Sequence, residues 1–285
     1  MARFSGKEIE ETYRTHPLRK DTILRRVRSQ RGSDVGLTEL DLAEDPFTQI
    51  SDQNHMGGLS FTRRLAERAG ISSASRVLDL GCGLGGSARV LSWLYGCRVH
   101  GIDLSPERIS DARDLTALVG LADRVTFECA DVMAMPLPTE AVDVLWGQAA
   151  WSHLEHKGDF LHKWIEALSA GGCVAVEDVC LLRPPDTDGE RDLLASLEDH
   201  WTSYVIAVDG PGGWKRLFED CGLAIRVAED RSEGLLEHFL DLKTGASRLE
   251  EPVSEVEQHA WALASQAAEA ALIGYFRIVA DRAPS

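Results

Sequence analysis

Short apolar runs bounded by glycine, proline and polar residues alternate along the chain with longer stretches of helical period, a pattern that predicts an α/β protein. Arg76 to Leu80, Arg98 to Ile102, Arg124 to Cys129, Ala141 to Trp146 and Cys173 to Asp178 read as five buried strands, with a turn at Gly171-Gly172 before the fifth. The intervening helices open after the glycines at Ser87 and at Ser105-Pro106-Glu107, where serine caps the first turn and proline fits it. Arg183-Pro184-Pro185-Asp186 interrupts regular structure. Glu190 to Trp201 and Trp214 to Cys221 then read as helices, Leu223 to Ala228 as a sixth strand, Asp230 to Glu269 as one or two helices, and Ala271 to Val279 as a last strand. The expected architecture is a Rossmann-like seven-stranded sheet. Residues 1–75, with helices at Lys7 to Thr15 and Leu18 to Ser29, would form an N-terminal helical cap or lid. Residues 76–285 would form the core, with helical inserts at about 183–210 and 230–269 around strand 6.

Charge narrows the partners. The 285 residues carry a formal net charge of −16, which disfavours nucleic acid or an anionic membrane surface as partner, and no apolar run is long enough to span a bilayer. Arg19, Lys20, Arg25, Arg26, Arg28 and Arg31 concentrate positive charge near the start and read as a face that pairs with acids elsewhere. The six cysteines form no Cys-x-x-Cys pair, so they read as reduced thiols in a cytoplasmic protein, not as a disulfide frame or a zinc site.

The chemistry concentrates after the first strand. Gly81, Gly83 and Gly85 or Gly86 allow a turn with bare backbone against a ligand, at the carboxyl end of a strand where α/β sheets bind nucleotides. The glycine spacing also fits a dinucleotide. Asp79, however, would repel a pyrophosphate and welcome a cationic amino-acid end. Asp103 ends the second strand, where a carboxylate accepts both ribose hydroxyls, and Asp131 follows the third. Asp79-x-Gly81-x-Gly83-x-Gly85 resembles motif I of class I S-adenosylmethionine-dependent methyltransferases, and Asp52-Gln53-Asn54-His55-Met56-Gly57-Gly58 is similar to a segment upstream of that motif in sarcosine/dimethylglycine N-methyltransferases. The resemblance implies S-adenosyl-L-methionine as cofactor and S-adenosyl-L-homocysteine as product. Asp79, Gly81, Gly83, Gly85, Asp103, Leu104 and Gln148 would line its site, with Asp131 and the Val132 amide at the adenine.

The fourth and fifth strands should bring His153 and Asp178 together, where an acceptor meets the sulfonium, as a dyad able to take its proton. This placement resembles that of natural-product and sugar O-methyltransferases. His55, Trp151, Trp201, Tyr204 and His238, with Phe239 and Trp261, are candidates for the acceptor pocket. No metal is expected. The reading is methyl transfer to nitrogen or oxygen of a small molecule, a specialised metabolite, by a protein compatible with a homo-oligomer. The alternative within the chemistry is carbon methylation of a prenyl diphosphate. Outside it, Asp79 and Asp131 disfavour a nicotinamide-dependent oxidoreductase, and net charge disfavours methylation of nucleic acid or protein.

Overall fold

The computed structural model describes residues 3–14, 16, 18–44, 50–205, 210–246 and 253–283. Four helices precede the sheet: α1 (Gly6–Arg14), α2 (Lys20–Arg31), α3 (Glu39–Ala43) and α4 (Gly58–Ala69). The order continues β1 (Arg76–Leu80), α5 (Gly86–Tyr95), β2 (Arg98–Asp103), α6 (Pro106–Leu118), β3 (Val125–Cys129), β4 (Val142–Gln148), a 3₁₀ turn (Trp151–His153), α7 (Lys157–Ile165) and β5 (Leu168–Leu181). It closes with α8 (Asp188–Trp201), α9 (Gly210–Asp220), β6 (Leu223–Asp230), α10 (Leu235–Ala246), α11 (Glu255–Glu269) and β7 (Ile273–Arg282).

The strands form one sheet in the order β3-β2-β1-β4-β5-β7-β6, parallel except for β7, which runs antiparallel to both its neighbours. The order reverses between β1 and β4, so the carboxyl ends of these two strands open the crevice where ligands bind in such sheets. Successive residues of β1 are buried on opposite faces. Val77 packs with α4, α5 and α6, while Leu78 and Leu80 pack on the face that holds Phe160, Trp164, Trp214 and Phe218. Burying each of these large side chains contributes roughly 1.5–3 kcal/mol. A third cluster joins α8, α10 and α11 to Ile273 and Tyr275 of β7.

Two elements differ from expectation. β5 begins at Leu168, opposite Val142, and Gly171 takes φ +74 inside it. The predicted turn is therefore a register shift that β4 tolerates between Val142 and Val144. Two helices occupy the stretch between β6 and β7. The basic N-terminal residues are engaged: Lys20 donates to Asp114, Arg28 to Asp34, and Arg31 pairs with Asp41. Arg26 is buried and donates to the carbonyls of Asp41, Leu42 and Glu44.

Register also places a polar ladder across four adjacent strands. Gln148 pairs with Glu177, Glu177 with Arg277, and Arg277 with Glu229. Their side chains repeat that order: Gln148 Nε2 donates to Glu177 at 2.8 Å, Arg277 forms a close ion pair with Glu177, and its other end reaches Glu229 at 2.8 Å. Burial raises the Glu177 carboxyl to about 7, with Arg277 and Gln148 opposing the shift.

Candidate active site

Two confluent cavities open at the carboxyl ends of β1 and β4. The smaller, about 390 Å³, lies against the glycine turn. The larger, about 920 Å³, lies between α4, α8, α10 and α11, and Tyr13, Asn54, His55, Ala149 and His153 border both.

Asp79, Gly81, Gly83, Asp103, Leu104, Asp131, Val132 and Gln148 all line the smaller cavity. Gly85 does not. It caps α5 at φ +73, and a Cβ there would meet Phe127 at 2.5 Å, so this glycine serves packing. Gly86 takes its place on the cavity wall, where a Cβ would strike the Asp52 carbonyl at 2.2 Å. At Gly81, φ +88 and Ala150 Cβ 2.5 Å from any added Cβ require glycine.

The carboxylates are differently held. Asp103 accepts from the Gly83 amide at 2.8 Å and the Ser105 amide at 2.9 Å, one on each oxygen, which leaves lone pairs for a pair of hydroxyls. Asp131 Oδ1 accepts from the Met133 amide at 2.8 Å and so shapes the turn it begins. Asp79 is only 2% exposed, and its Oδ2 has no partner. Burial, then the neighbouring Asp103, pushes its carboxyl up to about 8. An unpaired buried carboxyl beside bare backbone fits the ammonium end of S-adenosylmethionine, and the hydroxyl-ready Asp103 fits its ribose.

Gln148 is buried and committed to the ladder. Its Oε1 accepts from Ser87 at 2.8 Å and lies 3.1 Å from the Thr62 hydroxyl, which also approaches Gln53 Oε1 at 2.9 Å. His55 Nδ1 lies 3.1 Å from the Met56 carbonyl and therefore carries the proton; Nε2 faces Thr62 at 3.1 Å. Burial lowers His55 to about 4 and keeps it neutral. The segment that bears it is clamped from below by Arg89 of α5. That fully buried guanidinium donates to Asp52 at 2.6 Å, Glu39 at 3.0 Å and the Leu84 carbonyl at 2.7 Å.

The expected His153–Asp178 dyad is not formed. Asp178 Oδ2 accepts from the amides of Ala150 and Ser152, and Oδ1 from Val179, so it organises the loop after β4. Burial raises its carboxyl, against those amides. His153 Nδ1 lies 3.0 Å from the Thr202 carbonyl, so Nδ1 carries the proton, and Nε2 accepts from the Tyr13 hydroxyl at 2.7 Å. Thr202 holds φ +47 to present that carbonyl, and Ala149, on the other side of the site, holds φ +49. Two strained non-glycine residues here mark a backbone over-determined by its surroundings. Burial lowers the pKa of His153 and raises that of Tyr13. The Arg108 guanidinium, buried with Nη2 unpartnered, lies 4.7 Å over the Tyr13 ring.

Sequence reasoning missed Tyr13 and Arg89, which carry no local signal in their helices. Of the acceptor candidates, His55, Trp201 and His238 line the larger cavity, with Phe239 and Trp261. Trp151 and Tyr204 do not; they border the smaller one. The Trp151 indole donates to the Leu80 carbonyl at 3.2 Å and packs into the core, edge-on to Phe160 and stacked on Phe218. The Tyr204 hydroxyl accepts from the Phe4 amide at 2.8 Å, anchoring the chain ahead of α1. Among the described residues no three histidine, cysteine or acidic side chains are grouped to hold a metal, and no helix is long and apolar enough to cross a membrane.

Residues 77–172 match the family profile described as a methyltransferase domain. Over 181 residues the chain is 28% identical to phosphoethanolamine N-methyltransferase 1 of Arabidopsis thaliana, covering 64% of this chain and 35% of that protein. Over 122 residues it is 33% identical to methyltransferase GfsG of Streptomyces halstedii, covering 43% of this chain and 44% of that one. The chain thus spans less than half the length of these curated relatives. A crystal structure of a putative sarcosine dimethylglycine methyltransferase from Galdieria sulphuraria superposes with TM-score 0.69 at 19% identity, over 92% of this chain and 98% of that one.

Proposed function

From the premise that this chain carries a methyltransferase domain in the class I fold, we propose that it transfers the methyl group of S-adenosylmethionine to a hydroxyl or amine of a small molecule, a specialised metabolite. The observation that carries this reading is the confluence of the two cavities at Tyr13 and His153, with the unpartnered Asp79 carboxyl in the smaller. Asp79 and Asp103 would hold the ammonium and ribose of the cofactor, and Asp131 with the Val132 amide its adenine. When bound, that cofactor supplies a methyl group on a cationic sulfur, open to displacement by a nucleophile in line with the carbon–sulfur bond. Most of the rate would come from holding the acceptor atom in that line, in a site that α1 shields from water.

Tyr13 and His153 supply the proton path. An acceptor hydroxyl at the junction gives its proton to the Tyr13 oxygen as Tyr13 passes its own to His153 Nε2. His153 then bears both protons, its Nδ1–H still directed at Thr202. Asp178, buried on the other side of the loop, favours that imidazolium electrostatically. An amine acceptor uses the same pair to shed its proton after transfer. From the segment 1–75 expected as a lid, α1 covers the site in this reading, held by Tyr13 to His153 at 2.7 Å and, just ahead of it, by Arg3 to Glu198 at 2.7 Å, while α4 packs on the sheet.

Calorimetric titration with S-adenosylhomocysteine and with NADH tests the cofactor. Methyl-labelled S-adenosylmethionine with a metabolite panel, read by mass spectrometry, tests the transfer. Binding of the homocysteine product and label in a small molecule are the expected results; binding of NADH alone refutes the reading.

A further inference from the structure

We infer that the methyl acceptor is a bulky, non-phosphorylated alcohol or phenol, larger than the cofactor and apolar over most of its surface. The inference rests on the methyltransferase reading and deepens it, because it concerns only the larger cavity. That cavity, about 920 Å³ against about 390 Å³ for its neighbour, lies at the upper end of the range for drug-sized ligands. A compact acceptor would leave most of it to water.

The walls say what fills it. Phe61 of α4, Trp201 of α8, Phe239 of α10 and Trp261 of α11 face the cavity from four separate elements, with Trp201 and Phe239 in contact at 6.0 Å between rings. Aromatic walls from independent elements bury an apolar body and discriminate by shape.

Charge disfavours an acceptor that presents a bare phosphate. Among the described lining residues the carboxylates are Glu44, Asp178, Glu233, Glu237, Asp241 and Glu257, and the only cations of fixed charge are Arg63 and Arg231. Burial raises the Asp178 and Glu257 carboxyls; with those two left out of the count, the other four still outnumber the two guanidiniums. Four of the lining histidines do not compensate: burial lowers His55 and His238 to about 4 and lowers His16 and His153 as well, so these four are neutral at pH 7. The Arg231 guanidinium lies 5.3 Å over the Phe61 ring. A bare diphosphate would enter a net negative chamber without an arginine cluster to receive it.

The junction adds the reacting group. A pair arranged to remove a proton, Tyr13 on His153, suits an oxygen acceptor, which is a weak nucleophile until deprotonated; an alkene also needs a base, to take the proton from the carbocation that methyl transfer leaves, so it is the walls and charge of the cavity that separate the two.

The test is calorimetry on the full chain with S-adenosylhomocysteine present at saturation. The probes are estradiol, naringenin and zearalenone as bulky neutral hydroxyl compounds, and geranyl diphosphate and phosphoethanolamine as phosphorylated ones, all with Mg²⁺ present so that the carboxylates could hold a phosphate through the cation. At least one neutral probe should bind at least 10-fold tighter than either phosphorylated probe. Trp261→Ala should weaken that probe about 10-fold and leave the S-adenosylhomocysteine affinity unchanged. The exposed pair Glu237→Lys/Asp241→Lys, which threatens no core packing, should raise affinity for geranyl diphosphate. Equal or tighter binding of a phosphorylated probe overturns the inference, as does the absence of binding by all three neutral probes while S-adenosylhomocysteine binds. If S-adenosylhomocysteine itself fails to bind, the methyltransferase reading falls, and this inference falls with it.

Discussion

The most informative single substitution is Asp79→Asn. In the empty cavity burial and Asp103 hold the Asp79 carboxyl near a pKa of about 8, so at pH 6.5 it carries a proton. A bound ammonium favours the carboxylate, so binding at that pH must expel close to one proton. Affinity for S-adenosylhomocysteine should therefore rise about 10-fold per pH unit from pH 6 towards 8, and stop rising there, where the ligand's own α-amino group begins to lose its charge. Titration at pH 6.5 in two buffers of different ionisation enthalpy measures the expelled proton directly. Asp79→Asn should abolish proton release, flatten the pH dependence and weaken binding at pH 8 about 10-fold or more, through loss of a charge-assisted contact. Stability should move the other way. The folded-state pKa lies above the ordinary carboxyl value, so the folded state binds the extra proton and stability falls as pH rises from about 4 to 8. At pH 7 the penalty is at most about 4 kcal/mol, three pH units at 1.36 kcal/mol each. The empty Asp79→Asn protein should melt higher than the parent at pH 7 and gain less from ligand. Wild-type binding that releases no proton, or a variant that melts lower, refutes the reasoning.

Tyr13→Phe should lower kcat about 100-fold with S-adenosylhomocysteine affinity within 2-fold, since it removes the proton path and leaves the smaller cavity's acids in place; an unchanged kcat makes Tyr13 a lid anchor only. Arg277→Met should cost about 3–5 kcal/mol in urea unfolding at pH 8, because it strands Glu177 as a buried charge, and less at pH 5, where Glu177, with its pKa near 7, is protonated; a cost that does not shrink on acidification counts against it. Asp52→Asn keeps the shape of the Arg89 clamp and removes its charge, so it should weaken S-adenosylhomocysteine about 5-fold while secondary structure by circular dichroism stays intact; unchanged affinity would show that the segment's position does not depend on that ion pair.

The sheet and the acids at its strand tips were legible because their signals are local. An acid at or beside the end of a buried run names its own place at a strand tip: Asp79 is the penultimate residue of β1, Asp103 the last of β2 and Asp131 two residues past β3, and all three line one cavity. Gly85 and Gly86 could not be told apart, since either satisfies the spacing and only the approach of Asp52 and Phe127 decides which faces the ligand. The His153–Asp178 pairing failed for a related reason. Strand order puts the two residues near each other, but three backbone amides and a carbonyl from α8's end compete for their hydrogen-bonding atoms and win. Tyr13 was illegible altogether: 140 residues separate it from His153, and nothing in a nine-residue helix says which strand tip it will cover.

The same competition explains why Arg89 matters. A fully buried guanidinium persists only where its donors are matched, and this one is matched by carboxylates from α3 and from the Asp52–His55 segment and by the carbonyl of Leu84 in the glycine turn. Burial and the proximity of Asp52 raise the Glu39 carboxyl well above its ordinary range, with Arg89 opposing the shift. The turn that would receive the cofactor and the segment that divides the two cavities are therefore tied to one side chain. Asn54 and His55, which border both cavities, hang from that tie at one end and from Thr62 at the other. A ligand that fixes the glycine turn fixes the partition too. The ordering entropy it meets there is entropy the acceptor no longer has to lose, so the two sites should bind cooperatively.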